Sequence, residues 1–486
     1  MSLLKSNNFK LNGIALVFSL SVIAIAFNNL LWFGIAAILF LIIWNMEFWA
    51  IEKKNYSIAL VIIGFLLITS DLSEELRLGI NIISLVILFY FFINIYGFKF
   101  SNYPRFPRSL SFFILLVISS MTLSSLFSIN LYTGFTETFR QILFFIIIYF
   151  LYSFIDLEKD VYYFLGALFI SAMILALIIC FTFLNSNTLS YLLMTEGFVI
   201  DAGYMNNQAA AGGLLAVSTP ITLSVLFCKN IVKPYLKKYV AILIFTQFTA
   251  LLLTNSRAAI FASFISTAII LFLLRRKLFL FLIKLLTVFV GFIILIFPST
   301  IEIVSGFFRL TRVLENTRYY IWEMAINIIK DHFSLGIGPG QFYNYMYNNL
   351  PVMLGTWEEK QLRWLYDVVG SGFGIAHNFL VQRFTELGIL GLITGIYLPV
   401  MFLSYGIRLS RVNKGKDNYA LIIAIVSAGI GLFFRSFYEA TGLLSYGWIT
   451  RDLPFWLLFL ILIFYEKLNS TKINSSPNPL IKLIEK

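Results

Sequence analysis

The stretch that decides the fold is residues 257–298, RAAIFASFISTAIILFLLRRKLFLFLIKLLTVFVGFIILIFP. Two apolar runs, 257–274 and 278–298, flank the triplet Arg275-Arg276-Lys277. Each run approaches the roughly 20 apolar residues that a helix needs to cross the hydrocarbon core of a bilayer. Cations gathered in a short loop between such runs are typical of a cytoplasmic turn. The stretch therefore predicts two membrane-spanning helices joined on the cytoplasmic side.

The whole chain is too apolar for a single soluble core. Hydrophobic residues make up 59% of its 486 residues, charged residues make up 12%, and the mean hydropathy is +0.87. The net charge of +12 comes mostly from Lys and Arg in short loops between apolar runs, where such residues orient a membrane protein. No nucleic-acid partner is therefore expected. Cys180 and Cys228 lie in separate apolar runs and indicate neither a metal site nor a disulfide.

Apolar segments of helix length recur along the chain and predict an all-α polytopic membrane protein with about 12–14 transmembrane helices. The first segment, 11–27, lacks a small-residue cleavage site, so we expect it to be retained rather than removed as a signal peptide. The segments are 11–27, 29–50, 57–70, 78–97, 110–128, 138–155, 161–184, 207–228, 239–254, 257–274, 278–298, 378–406, 418–436 and 450–466.

Basic residues fall in alternate connections between these segments. Under strict alternation, every connection rich in Lys and Arg lies on one side of the membrane, which the positive-inside rule assigns to the cytoplasm. Both termini are then cytoplasmic, and the insertion 299–377, the turn 255–257 and the connection 437–449 lie outside. We therefore expect the active face to be the external one. The basic connections include Lys53, Lys99, Lys159, Lys233, Arg275 and Arg408.

The external insertion 299–377 is the one connection long enough to fold as more than a turn, and loops of this length usually carry function. Residues 317–330, TRYYIWEMAINIIK, have the spacing of an amphipathic helix lying on the membrane surface. Residues 358–369 form a second, weaker candidate helix. The apolar face predicted for the first helix consists of Ile321, Trp322, Ala325, Ile326 and Ile329.

A glycine-rich turn, Leu335-Gly-Ile-Gly-Pro-Gly-Gln-Phe342, follows the first of these helices. Glycines let a backbone approach closely, so its amides could contact a phosphate. The turn is not a dinucleotide fingerprint, because no strand precedes it and a proline interrupts it. A purely structural turn is the simpler interpretation.

Several cations emerge at the external face, opposite the basic loops, so membrane orientation does not explain them. An arginine in the membrane costs up to about 2.5–3.5 kcal/mol at mid-helix unless it meets a partner, a cavity or the interface. Each one alone fits a side chain that snorkels to local carbonyls. Together they can neutralise a diphosphate without a metal ion, because guanidinium groups bind phosphate oxygens in pairs. These candidate cations are Arg140, Arg257, Arg435 and His377, with Arg312 and Arg318 from the insertion.

His377 begins the span that follows the external insertion and is better placed than His332, which ends the amphipathic helix. A histidine in this position can accept a hydroxyl proton as a general base, or it can simply cap the helix at the interface. On the same predicted helix, Arg383 and Glu386 are spaced to form an internal ion pair.

Three motifs together resemble the bacterial O-antigen ligase and Wzy-type polymerase superfamily. They are Thr254-Asn-Ser-Arg-Ala-Ala259, the turn 335–342, and His377-Asn-Phe-Leu-Val-Gln-Arg-Phe-Thr-Glu-Leu-Gly-Ile-Leu-Gly391. The resemblance covers about residues 200–440, in which the order of the motifs and the long external loop also match. Asn206-Asn207-Gln208, at the external start of a span, is similar to a polar element of the family.

The resemblance implies a GT-C-type membrane glycosyltransferase of the bacterial cytoplasmic (inner) membrane, needing neither metal nor cofactor. The donor would be an undecaprenyl-diphosphate-linked glycan on the periplasmic side, in lipopolysaccharide or exopolysaccharide biosynthesis. Arg257 would bind the diphosphate and His377 the acceptor hydroxyl, with Asn207 as a polar contact, whereas the other arginines are candidates from topology alone. The chain would divide into N-terminal helices (1–200), a catalytic region (201–466) and a cytoplasmic tail (467–486).

Other functions fit parts of the sequence. The acceptor can be another glycan, as in a polymerase, or lipid A-core, as in a ligase, and the motifs do not separate them. A multi-pass transporter or flippase of a lipid-linked glycan or small anion also suits many spans with inward cations. Against it, the cations cluster at one face and no duplicated halves are evident. A non-enzymatic scaffold would have no need of the cations.

Overall fold

The computed structural model describes residues 54–67, 74–185, 208–228, 235, 237–254, 256–296, 317–346 and 375–475. All the regular secondary structure in these ranges is helical, which confirms the predicted all-α class. The predicted spans 11–27 and 29–50 and the candidate helix 358–369 lie outside the described residues.

The described helices follow one another with short connections. Seven are long and apolar enough to cross a membrane, and three shorter apolar helices accompany them, as expected for a multi-pass membrane protein. The α-helices are α1 (Lys54–Leu67), α2 (Glu74–Tyr96), α3 (Arg108–Leu126), α4 (Leu131–Ser153), α5 (Glu158–Asn185), α6 (Gln208–Val225), α7 (Lys237–Leu253), α8 (Arg257–Leu274), α9 (Arg276–Ile296), α10 (Thr317–Asp331), α11 (Phe342–Met346), α12 (Phe379–Val412), α13 (Tyr419–Ser436) and α14 (Ile449–Ser475).

Helix α13 lies at the centre of the bundle, between α6, α8 and α12. Every residue from Ala420 to Gly429 is buried. Small residues allow the close approach: a Cβ added to Gly431 would overlap Ser266 of α8, and one added to Gly429 would overlap Phe402 of α12. By contrast, α9 packs mainly against α8 and has no buried residue.

Helix α12 is broken at Gly388, whose φ of 62° and ψ of −154° suit only glycine. A break leaves backbone carbonyls without helical partners. The glycine-rich turn supplies those partners: the Ile337 amide donates to the Thr385 carbonyl (3.1 Å) and the Gly338 amide to the Glu386 carbonyl (2.9 Å). A Cβ on Gly336 would overlap the Glu386 backbone. These contacts confirm the structural interpretation of the turn.

The predicted amphipathic helix exists as α10, but its buried face differs from the prediction. The apolar cluster contains Ile321, Met324 and Ile328, whereas Ile326 is 50% exposed. The reason is that α10 packs on protein, namely the glycine-rich turn and the start of α12, so its partner sets the face. The placement of Ile326 on the buried face was therefore wrong.

The bundle has two chemically different ends. Because consecutive helices run antiparallel, the basic residues between helices collect at one end, which we call the basic end. At the opposite end, which we call the site end, lie the turns before α4 and α8, the start of α12 and the connection 437–448. The basic end carries Lys99, Arg105, Lys237, Arg276 and Lys414.

Candidate functional site

Backbone contacts bring separate segments together at the site end. A Cβ on Gly212, near the start of α6, would lie 2.7 Å from Cβ of Ser256, which precedes α8. The Asn378 side chain, at the start of α12, donates to the Phe437 carbonyl at 3.1 Å. The start of α6, the start of α8, the start of α12 and the connection 437–448 therefore form one surface.

His377 is held in a fixed conformation between two bonded neighbours. Its φ of 47° lies in the left-handed region, which is unfavourable for a residue other than glycine. The Ala376 amide donates to Gln382 Oε1 and its carbonyl accepts from Trp322 Nε1 (2.8 Å). Asn378 caps α12 by accepting from the Val381 amide at 3.0 Å. These bonds fix the backbone on both sides of His377, and its imidazole, 23% exposed, lies at the site end.

Glu439 faces this histidine and was not found from the sequence. Its Oε2 lies 3.9 Å from His377 Nδ1, and its side chain is only 13% exposed. At this distance the carboxylate is an electrostatic neighbour of the ring rather than a hydrogen-bond acceptor, and its charge favours the protonated imidazole. The one signal in the sequence was that Glu439 follows Arg435 by four residues at the end of a span.

Arg257 is the first residue of α8 and is half-buried. The first turn of α8 contains no acidic residue, and Ser256 makes no capping hydrogen bond with its side chain. A cation at the positive end of a helix dipole does not stabilise the helix. The start of α8 therefore carries positive charge from both the arginine and the helix dipole.

Arg435 is buried and makes two bonds to backbone carbonyls. Its Nη1 donates to the Thr441 carbonyl and its Nη2 to the Ala209 carbonyl, both at 2.8 Å. The guanidinium thereby ties the start of α6 to the connection 437–448. This geometry favours a structural role over the phosphate contact proposed from topology.

Arg140 lies on α4 at the site end, against the connection 437–448. Its Nη1 forms an ion pair with Glu137 Oε1 at 2.7 Å, and its side chain is 39% exposed. A Cβ on Gly447 would overlap the Arg140 backbone. Arg140 is therefore more open to a ligand than Arg435 but is already partnered.

The remaining candidates are placed only in part. Arg318 lies in the first turn of α10, one turn before Trp322. Because Trp322 bonds to the residue before His377, the backbone of Arg318 is near the histidine segment. Asn207 and Arg312 lie outside the described residues.

Residues 241–396 match the family model described as O-antigen ligase. The segment is therefore similar to O-antigen ligases over about a third of the chain. The match runs from α7 into α12, so it contains Arg257, the glycine-rich turn and His377, but neither Arg140 nor Arg435. No curated protein matches the chain. The resemblance inferred from the motifs is confirmed, and it supports a ligase or polymerase type of function with glycosyltransferase-like activity.

Within the matched segment, the predicted ion pair between Arg383 and Glu386 was wrong. Arg383 Nη2 instead donates to Thr394 Oγ1 at 3.0 Å, and Glu386 Oε1 accepts from the Phe342 amide at 3.1 Å. The break at Gly388 explains the difference, because it brings the glycine-rich turn against Glu386. In the regular helix assumed from the sequence, no backbone amide would compete with Arg383 for the Glu386 carboxylate.

Tyr446 lies outside the matched segment 241–396 and completes this buried group. The Arg383 guanidinium carbon lies 5.8 Å from the centre of its ring. Burial, together with the nearby Glu386 charge, raises the pKa of Tyr446 well above its usual range, so the phenol stays neutral. Its φ of 51° is again left-handed. The connection 437–448 therefore contacts both the histidine and the buried group around Arg383.

The connection 437–448 is held by groups from two helices, α4 and α14. Asp452 of α14, fully buried, accepts from the Gly442 amide (3.1 Å) and from Ser445 Oγ (2.6 Å). Trp456 Nε1 donates to the Leu443 carbonyl at 2.7 Å, and Gln141 Oε1 of α4 accepts from the Gly447 amide at 3.2 Å. These bonds fix the connection before any ligand binds. Asp452 was not identified from the sequence, although an aspartate at the start of an apolar span is itself a sign of a specific role.

Proposed function

We propose that the protein is a glycosyltransferase that moves a saccharide from undecaprenyl diphosphate to an acceptor hydroxyl at the site end. The observation that carries this proposal is that His377, oriented towards Glu439, and Arg257 occupy the same end of the bundle and the same family-matched segment. In the reaction, the acceptor oxygen bonds to the anomeric carbon. The bond from that carbon to the diphosphate oxygen breaks, and the diphosphate leaves with the electron pair.

Each residue of the site has its own role in the proposed reaction. His377 Nε2 takes the proton of the acceptor hydroxyl as the new bond forms, and the nearby Glu439 carboxylate stabilises the positive charge that the ring then carries. Arg257, at the start of α8, stabilises the negative charge that develops on the departing diphosphate. A second cation, Arg140, lies at the same end. We propose that these arginines take the place that a divalent ion holds in other transferases.

The charge distribution supports a periplasmic active site. The positive-inside rule assigns the basic end to the cytoplasm and the site end to the periplasmic face of the inner membrane. Lipid-linked glycans are presented on that face, whereas nucleotide sugars are cytoplasmic. The choice of a lipid-linked donor therefore follows from the orientation.

The first test is transfer with purified components. The purified protein is reconstituted with labelled undecaprenyl-diphosphate oligosaccharide, with and without lipid A-core, beside the variants Arg257→Ala and His377→Ala. A product ladder without added acceptor identifies a polymerase, and a single acceptor-dependent shift identifies a ligase. Loss of product in both variants with the donor still bound supports the proposed roles. No metal-independent product from any donor would reject the proposal.

One observation favours a second candidate, a flippase or transporter. Helix α12 is broken near a buried arginine, and broken helices form the substrate sites of many transporters. Here, however, the carbonyls freed at Gly388 are occupied by the glycine-rich turn. A fluorescent lipid-linked glycan that crosses vesicle bilayers in the presence of the protein, and in the presence of His377→Ala equally, would favour transport.

A further inference from the structure

A cavity of about 380 Å³ lies at the basic end of the bundle, at the opposite end from His377 and Arg257. It opens between the segment before α3 and the ends of α4, α12 and α14. The proposed glycosyl transfer gives it no role. The lining residues that matter below are Arg105, Tyr152, Tyr405, Arg408, Glu466 and Lys467.

The cavity has an excess of positive charge. Arg105, Arg408 and Lys467 face one carboxylate, Glu466. Arg408 Nε is 2.9 Å from Glu466 Oε1 and its guanidinium stacks on the Tyr405 ring at 5.1 Å. The pair fixes the plane of the guanidinium while 55% of the side chain remains exposed. These four side chains of the lining therefore sum to a net charge of +2.

The walls of the cavity are preformed by aromatic side chains with bonded hydroxyls. Tyr152 donates to the Arg105 carbonyl at 3.1 Å, and the Tyr405 hydroxyl shares a hydrogen bond with Ser109 at 3.0 Å. Tyr149 donates to the Pro104 carbonyl at 2.9 Å, which fixes the segment before α3. The result is a rigid recess with apolar walls and a cationic rim.

We propose that this cavity binds the phosphate of an anionic phospholipid from the leaflet in which the basic end lies. The recess lies where the apolar helices meet their charged ends, so a lipid can place its phosphate at the cations and its glycerol and first methylenes against the tyrosines. Guanidinium and ammonium groups bind phosphate oxygens directly, and basic pockets between helices on the cytoplasmic side recognise anionic headgroups. This inference does not rest on the proposed glycosyl transfer.

The test uses the purified full-length protein and native mass spectrometry, titrated separately with phosphatidylglycerol, phosphatidylcholine and soluble glycerol 3-phosphate. The cavity variant is Arg105→Gln with Lys467→Gln. Both side chains are exposed, so the change removes two charges without opening the core. The matched control is Arg411→Gln with Lys414→Gln, which removes the same charge at the same end but outside the cavity.

We expect tight binding of phosphatidylglycerol, weak binding of phosphatidylcholine, and a loss of about tenfold or more in phosphatidylglycerol affinity in the cavity variant alone. Equal losses in the two variants would mean general attraction to the basic end and would overturn the proposal. Binding of glycerol 3-phosphate as tight as that of phosphatidylglycerol would assign the site to a soluble phosphate instead. The unfolding temperature of both variants checks that the fold is retained, and the single variant Arg105→Gln serves if the double variant is unstable.

Discussion

At the scale of single residues, His377 combines a strained backbone with a fixed side chain. A left-handed conformation in a residue other than glycine costs on the order of 1–3 kcal/mol and persists only where the surroundings enforce it. Here the enforcement comes from the bonds on both sides of the residue, through Gln382, Trp322 and Asn378. The surrounding fold therefore maintains the strained backbone, and this conformation sets the direction of the imidazole.

His377→Asn separates the two contributions, because asparagine tolerates the left-handed region but is not a base. We expect an unfolding temperature close to that of the wild type and a transfer rate lower by about 10²–10⁴-fold. Initial rates with labelled lipid-linked donor measure the effect. A variant that retains most of the rate would remove His377 from proton transfer.

Glu439 acts through His377 rather than on the substrate. In Glu439→Gln, the ring loses the negative charge that stabilises its protonated form, so we expect kcat to fall about tenfold or more with little change in the KM for donor. Glu439→Asp keeps the charge and should recover part of kcat. A rise in donor KM with unchanged kcat would instead place Glu439 in donor binding.

Arg257→Lys keeps the charge at the start of α8 but removes the planar fork. Since the fork is what matches two phosphate oxygens, we expect kcat/KM to fall about 10–100-fold. Arg435→Lys is the comparison, because its predicted defect is in stability: the two carbonyl bonds to residues 209 and 441 are lost. Unfolding temperature and rate, measured for both variants, distinguish the two roles.

At the scale of elements, the docking of the glycine-rich turn on the break in α12 decides the shape of the site. Gly388 and Gly415 both have left-handed φ, of 62° and 85°, but only Gly388 is crowded, since a Cβ there would overlap the Ser334 carbonyl. Gly415→Ala should cost about 1–2 kcal/mol from backbone strain alone.

Gly388→Ala should cost clearly more, because the turn must also move away. We expect a larger drop in unfolding temperature and faster proteolysis within the insertion 299–377. Equal effects of the two substitutions would mean that the turn is not held against the break. The two changes add the same methyl group at a positive φ, and the ψ of −154° at Gly388 adds backbone strain to the effect of the crowding.

Local sequence patterns explain which elements were predictable. The spacing of residues 317–330 predicted α10 to within a residue of its observed end, because helical periodicity is a local property. Its buried face was not predictable, since it depends on contact with residues 337, 342 and 376. The Arg383–Glu386 pair failed for a related reason: the sequence spacing is helical, but the break at Gly388 brings in a competing backbone amide.

At the scale of the whole molecule, the separation of the basic end from the site end predicts an orientation that labelling can test. In a background with Cys180 and Cys228 replaced by Ala, Tyr438→Cys lies in the exposed part of the connection 437–448, and Lys414→Cys lies at the basic end. We expect an impermeant maleimide to label residue 438 in intact spheroplasts and residue 414 only after permeabilisation. The reverse pattern would invert the proposed topology.

The class of the molecule was readable from composition, whereas the site was readable only in part. Arg257 and His377 stood out because charged residues are rare in apolar surroundings. Glu439, Tyr446 and Asp452 did not, because their roles depend on how the connection 437–448 folds back onto α4, α12 and α14. Arg435 stood out in the sequence for the same reason as Arg257, but its guanidinium donates to two backbone carbonyls in the structure.

The docking of the glycine-rich turn on α12 has a consequence for biosynthesis. The ribosome makes the turn before α12, and the carbonyls that it binds, at residues 385 and 386, do not yet exist when residues 337 and 338 emerge. The histidine segment also lacks its contacts with Phe437 and Glu439 at that point, because these residues are made later still. A nascent chain halted before α13 therefore contains Arg257 but lacks two contacts of the histidine segment, which form only after residues 437–439 have been made.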